Sequence, residues 1–257
     1  MSRLGSSLTL ALLSTTLLAT TAMAQRATDR TGRDTMFVGV DTSGSFVQGG
    51  DYGNAISFLA YYIYGHLHGL GGLTQVKELF VAAIGGKEAG EPKAFHPTLE
   101  FADKDIAGIE ANLRRWYPPT DTLTDFNVFF EQVARVTKER NLVLSPITVL
   151  LVTDGVPDIP HPTFKPGSKG MYRTINLAPL EYLSRNLTLR VAYTSPKVAE
   201  FWRTEVPRQR VRLWTAEAEI MKTWRSQVVP DAAPPDQTRL WKWVRQTLDF
   251  RVRVRPL

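Results

Sequence analysis

The sequence predicts an α/β protein: a mostly parallel sheet with helices packed on both faces. Three observations predict it. Short apolar runs with β-branched members recur along the chain, as buried strands require. Between them lie segments whose apolar residues return every three or four positions, the mark of amphipathic helices. The alternation runs without an internal repeat or low-complexity stretch from about residue 34 to 215, long enough for one domain with its own core.

Residues 36–40 (MFVGV) form the first run, with two β-branched members in five. Ile56, Leu59, Ala60, Ile63, Leu67 and Leu70 then follow helical spacing until the glycines of 69–72 end the stripe. Residues 79–84 read as a second buried strand closed by Gly85 and Gly86. After the turn GGKEAGEPK, residues 94–101 read as a shorter strand returning antiparallel at the sheet edge. Residues 106–116 and 126–136 read as helices, with Pro118 and Pro119 breaking the chain between them. The most continuous apolar run after the N-terminal segment is ITVLLVTDG at 147–155. Helical 177–183, strand 187–193, helical 198–206 and strand 211–214 complete a series of βαβ units.

The flanks are of another character. Residues 1–24 place Arg3 before an apolar core from Leu8 to about Leu18 and end in Ala22-Met23-Ala24, the pattern of a cleaved secretory signal. That core is too short, and too interrupted by threonines and a serine, to span a bilayer, and no later segment approaches the ~20 apolar residues a spanning helix needs. Residues 25–33 are a polar lead. The brevity of the signal points to a bacterial periplasmic protein, or a secreted one. There is no cysteine, which excludes disulfides, thiolate zinc sites, a cysteine nucleophile and a lipid-modified N-terminal cysteine.

A hydrophobic share of 43% beside 22% charged residues excludes a disordered chain. The formal charge of +6 is unevenly placed: residues 201–257 hold 12 Lys and Arg against 6 Asp and Glu, while the body is near neutral. A basic C-terminal part suits a solvated surface, or contact with an acidic partner or anionic lipid; nucleic acid is not expected outside the cell. Residues 217–229 read as helical and 230–237 (PDAAPPDQ) as a stiff connector, followed by a helical stripe of Leu240, Trp241, Val244 and Leu248. Residues 250–257 (FRVRVRPL) alternate as a half-exposed strand does. Trp202, Trp214, Trp224, Trp241 and Trp243 all follow residue 200. Since tryptophan is first a packing residue, residues 216–257 are expected to dock on the domain as a Trp-rich helix and strand extension.

The chemistry gathers at two strand ends. In a parallel α/β sheet the C-terminal strand ends face the crevice where ligands bind. Asp41 closes the first strand there, and Ser43 and Ser45 follow, so an extended or looping backbone can turn all three side chains to one side. Asp154 closes residues 147–152 in the same manner. Two neighbouring strands of this kind bring two carboxylates and several hydroxyls around one small volume. Close carboxylates repel unless a cation neutralises them, and hard oxygen ligands suit Mg²⁺, with Mn²⁺ or Ca²⁺ in its place. Zinc is disfavoured, because the four histidines are scattered. His66 and His68, two apart on a helix, are expected at the surface.

DTSGS at 41–45 and VTDG at 152–155 resemble the D-x-S-x-S motif and the second acidic loop of von Willebrand factor type A domains, over roughly residues 34–215. The resemblance implies a Rossmann-like three-layer sandwich whose loops carry a metal-ion-dependent adhesion site, completed by a threonine from a third loop. PPTDTLTDF (118–126) offers Thr120, Thr122 and Thr124. Thr124, followed by Asp125 and by Phe126 at the start of a helical run, matches the family's pattern best, with Thr122 and Thr120 as alternatives. The glycine usual before that threonine is missing; Thr122 and Leu123 stand there. The implied metal ligands are Asp41, Ser43, Ser45, Thr124 and Asp154, the hydroxyls binding directly or through water and the aspartates partly through water.

Three neutral hydroxyls and two acids leave such a cation under-neutralised, with a position open to a Glu or Asp of a partner protein. The expected function is therefore metal-dependent protein binding without turnover. A metal-dependent hydrolase is the alternative, since Mg²⁺ over two aspartates also serves phosphoryl transfer, but no general base or nucleophile stands out near the motifs. Taken singly, Asp41 and Asp154 would also suit helix caps, which leaves unexplained why both loops end alike.

Overall fold

A computed structural model describes residues 34–184 and 186–250. In chain order its elements are β1 (Asp34–Asp41), α1 (Gly44–Gln48), α2 (Tyr52–Leu67), β2 (Val76–Ile84), β3 (His96–Pro97), α3 (Ile106–Trp116), α4 (Phe126–Glu139) and β4 (Ile147–Val152). They continue with α5 (Lys169–Tyr172), α6 (Ala178–Glu181), β5 (Leu187–Thr194), α7 (Pro196–Thr204), β6 (Arg212–Glu217), α8 (Ala218–Lys222) and α9 (Thr238–Thr247). The sheet order is β3-β2-β1-β4-β5-β6. Every neighbouring pair is parallel except β2 and β3. The fold class is the expected one, an α/β sandwich with a single antiparallel edge strand.

Strand alternation builds two cores. Met36, Val38 and Val40 of β1 face α2 and α3, whereas Phe37 faces the layer of α4, α6 and α7. β1 is therefore buried along residues 35–41, which explains why it reads as a continuous apolar run rather than an alternating one. Local chemistry sets the helix starts. Asp105 accepts from the Gly108 amide, Asp125 from those of Asn127 and Val128, and Ser195, ahead of Pro196, from that of Val198.

Several elements differ from expectation. Residues 94–101 contribute only the two residues of β3, because Pro97 has no amide for a ladder and Thr98–Glu100 turn at once into a 3-10 helix. The helical reading of 177–183 contracts to α6. Residues 217–229 form α8 and then tighten into 3-10 geometry over Thr223–Gln227. β6 runs to Glu217, two residues beyond the expected end of the domain.

The C-terminal extension docks on its own domain. Leu240, Trp241, Val244 and Leu248 are fully buried in the core that also holds α2. Gly71, at φ +56°, makes room for them: a Cβ there would lie 2.1 Å from Cβ of Trp241. This docking overturns the surface expectation for His66, which is buried with its ring against Asp249. No helix among the described residues is long and apolar enough to cross a membrane. The expected signal and polar lead (1–33) and nearly all of the expected basic strand (251–257) lie outside the described residues.

Candidate metal centre

From β1 the chain proceeds to one side of the sheet, to β2 and β3; from β4 it proceeds to the other. The C-terminal ends of β1 and β4 therefore flank the crevice where strand order reverses, the position at which open α/β sheets bind ligands. Val40 pairs with Val152, so Asp41 lies level with Thr153 and Asp154 follows one residue on.

Asp41 has no solvent exposure. Its Oδ1 accepts from the Ser43 amide at 2.8 Å and its Oδ2 from the Thr153 hydroxyl at 2.5 Å. The Thr153 oxygen in turn accepts from the Gly155 amide at 2.8 Å. The Gly155 carbonyl is held by the indole N–H of the buried Trp202. The carboxylate is thus oriented by both loops at once. Burial, and next the charge of Asp154, push the Asp41 carboxyl up to about 7, against the donors of Thr153 and Ser43. Asp154 is half-buried and is also raised, chiefly by burial, although the Val156 amide donates to its Oδ1 at 2.9 Å.

Ser43 is the N-cap residue of α1, and its Oγ lies 3.3 Å from that of Ser45. The expected extended or looping path through Ser45 is therefore a helical turn begun at Gly44. The extended backbone of the cap residue (φ −71°, ψ 156°) keeps the two hydroxyls together. Ser43 is buried and Ser45 exposed. Ser45 stands beside Asp154, whose carboxyl its hydroxyl helps to hold down.

The third loop is pinned between the other two. Asp121 pairs by backbone with Ser43 and accepts from the Thr42 hydroxyl at 2.8 Å. Thr124 exchanges backbone hydrogen bonds with Asp158, at 3.1 and 3.2 Å. Of the three threonines, Thr124 alone is fully buried, and its Oγ1 has no hydrogen-bond partner. Thr120 and Thr122 are exposed, and the Thr122 hydroxyl donates to the Lys87 carbonyl at 3.3 Å. Asp125 serves as the cap of α4. The glycine absent before Thr124 has its counterpart across the gap: Gly85, at φ +92°, would place a Cβ 2.0 Å from the Leu123 carbonyl. The small residue that the close approach demands stands at the end of β2 instead.

A buried hydroxyl without a partner and a buried carboxylate beside a second one are both costly. A hard divalent cation in reach of both would relieve them, and an oxygen-only set of Asp41, Ser43, Ser45, Thr124 and Asp154 would suit Mg²⁺ chemically. Among the described residues no three His, Asp or Glu gather as a metal site, so hydroxyls have to complete any such shell. Thr153 and Asp121 escaped sequence reasoning. Thr153 stands inside the quoted VTDG, but its bond to Asp41 follows from strand register rather than from spacing.

No protein-family profile and no curated protein matches the chain. Among solved structures it is similar to the SpRpn10 VWA domain, at 11% identity and TM-score 0.44, over 84% of this chain and 95% of that one. It is also similar to the pilus adhesin SpaC of Lactobacillus rhamnosus GG, at 9% identity and TM-score 0.47, over 76% of this chain and 29% of the adhesin. Proximal thread matrix protein 1 of the mussel byssus matches at 13% identity and TM-score 0.40, over 76% of this chain and 46% of its own. The chain spans less than half the length of the adhesin and of the byssus protein.

Proposed function

We propose that the protein is a metal-dependent protein-binding module of the von Willebrand factor type A kind, acting in the periplasm or outside the cell. On this reading it captures a Glu or Asp of a partner protein and performs no turnover. The observation that supports it most is Asp41, a carboxylate without solvent exposure beside a second acid, and the buried Thr124 hydroxyl without a partner, on a loop that pairs with both neighbouring loops, agrees with it. Asp41, Ser43, Ser45, Thr124 and Asp154 hold the ion on this reading, and a bound Mg²⁺, or Mn²⁺ or Ca²⁺, supplies positive charge and a position open to the partner's carboxylate. The Ser43 amide and the Thr153 hydroxyl keep Asp41 oriented before any ligand arrives, so little ordering remains to be done on binding. Lys93, 3.6 Å from Asp121 and 2.7 Å from Glu91, adds a charged rim for specificity.

Capture of a partner from a periplasmic extract is expected to vanish with EDTA, return with Mg²⁺ or Mn²⁺, and fail with Ser43→Ala. Capture indifferent to chelation, or metal-dependent turnover that Asp41→Ala abolishes, would overturn the reading.

Asp41 also sets a pH dependence of definite sign. Its folded value of about 7 lies above the ordinary 3.8, so without a cation the folded state binds more protons than the unfolded one between these limits. Stability then falls as pH rises from about 4 to about 7, and the raised Asp154 acts in the same direction. A proton on Asp41 competes with the ion. Added Mg²⁺ is therefore expected to raise the melting temperature more at about pH 8 than at about pH 5. Equal shifts at the two pH values in a thermal melt would count against Asp41 as a ligand.

A further inference from the structure

Beside the candidate centre lies a cavity of about 430 Å³ at the C-terminal end of β2. Its floor is Ala83, which is only half-buried although Ala82 and Ile84 on either side of it are buried. A larger residue there would fill the hollow. Trp116 at the end of α3, then Tyr117 and Pro118, line one side, and Ala94 and His96 line another. The His96 ring stacks on that of Trp116, with centroids 4.0 Å apart and planes 6° from parallel. Tyr117 donates its hydroxyl to the Val81 carbonyl at 2.7 Å, and its own carbonyl accepts from the Tyr52 hydroxyl. The aromatic walls are therefore in place before any guest arrives, which keeps the cost of binding low.

The charges around the cavity are spent on one another. Lys87 and Lys93 face Glu91 and Asp121, two of each sign. The Lys93 ammonium lies 2.7 Å from Glu91 and 3.6 Å from Asp121. The second oxygen of Glu91 accepts from the Lys87 amide at 2.9 Å, and the second oxygen of Asp121 from the Thr42 hydroxyl at 2.8 Å. A charged guest would give up its hydration for a lining without net charge. A flat, neutral guest gains ring contacts with Trp116, Tyr117 and His96, and the volume falls in the range of about 300–1,000 Å³ usual for ligand pockets. We propose that the cavity receives a neutral aromatic side chain of the partner protein, close in sequence to the acid that the ion captures. The link to that acid rests on the metal-dependent reading; the preference of the cavity for an aromatic ring does not. Thr42 joins the two places, since it lines the cavity and stands between Asp41 and Ser43. In an extended segment, side chains two positions apart share one face at a spacing of about 7 Å, so one strand of a partner can fill both.

The test is NMR of the Trp116 indole in the intact protein, titrated with N-acetyltyrosinamide in EDTA and again in Mg²⁺. The indole resonance is expected to shift equally in both. Ala83→Leu fills the floor of the cavity, and is expected to remove the shift while leaving the heat of Mg²⁺ binding unchanged. Ala94→Leu, on the exposed segment before β3, serves the same purpose if the strand variant fails to fold. In Mg²⁺, acetyl-Glu-Gly-Tyr-amide is expected to bind on the order of tenfold tighter than acetyl-Glu-Gly-Ala-amide, from burial of the ring. It is expected to bind about two- to tenfold tighter than acetyl-Glu-Gly-Leu-amide, from ring–ring contact. No shift with N-acetyltyrosinamide, or a tyrosine peptide no tighter than the alanine one, overturns the aromatic site whatever the ion does. A tyrosine preference that Mg²⁺ does not strengthen supports the cavity and overturns the metal-dependent capture instead.

Discussion

Trp241→Ala is expected to lower the melting temperature by roughly 6–20 °C. A buried Trp→Ala change costs about 3–5 kcal/mol, and each kcal/mol shifts a chain of this size by about 2–4 °C. Trp241 merits the upper part of that range because its surroundings cannot collapse onto the space it leaves. Its ring lies against the backbone at Gly65 and Gly71, where an added Cβ would come within 2.7 and 2.1 Å of Trp241 atoms, and its N–H donates to the Pro234 carbonyl at 2.7 Å. Truncation before Pro230 is expected to do more harm, since it also removes Leu240, Val244 and Leu248, all fully buried. A thermal melt checks both. An unaltered curve would mean that residues 238–248 do not belong to the folding unit.

Asp41→Ala combined with Asp154→Ala is expected to abolish the heat of Mg²⁺ and Mn²⁺ binding in a calorimetric titration. The two carboxylates are the charged members of the candidate shell, and hydroxyls alone compete poorly with water for a divalent ion. The double variant is expected to stay folded. With their values raised by burial, the ionised carboxylates cost stability in the ion-free protein rather than supplying it. A circular dichroism spectrum separates lost binding from lost fold. Unchanged heats in a folded double variant would remove Asp41 and Asp154 from the assignment.

The sequence by itself determined the class of fold and the two strand ends of the candidate centre. Strand and helix periods, and the carboxylates at the C-terminal ends of β1 and just after β4, are properties of residues within a few positions of one another. Where only neighbours matter, spacing is enough. Elements that depend on distant partners were not legible. The sequence favours Thr124 through the Asp125 and Phe126 that follow it, but that its hydroxyl is buried while those of Thr120 and Thr122 are exposed depends on how the loops pack, and the close approach to Leu123 is made by Gly85, just after β2. The bond from Thr153 to Asp41 joins residues 112 apart, through a register that no local pattern encodes. His66 reads as a surface residue from its own helix, and becomes a buried one because Asp249, 183 residues away, closes over it. Tertiary structure alone decided these matters, because burial and the pairing of polar groups are set by what the whole chain brings together.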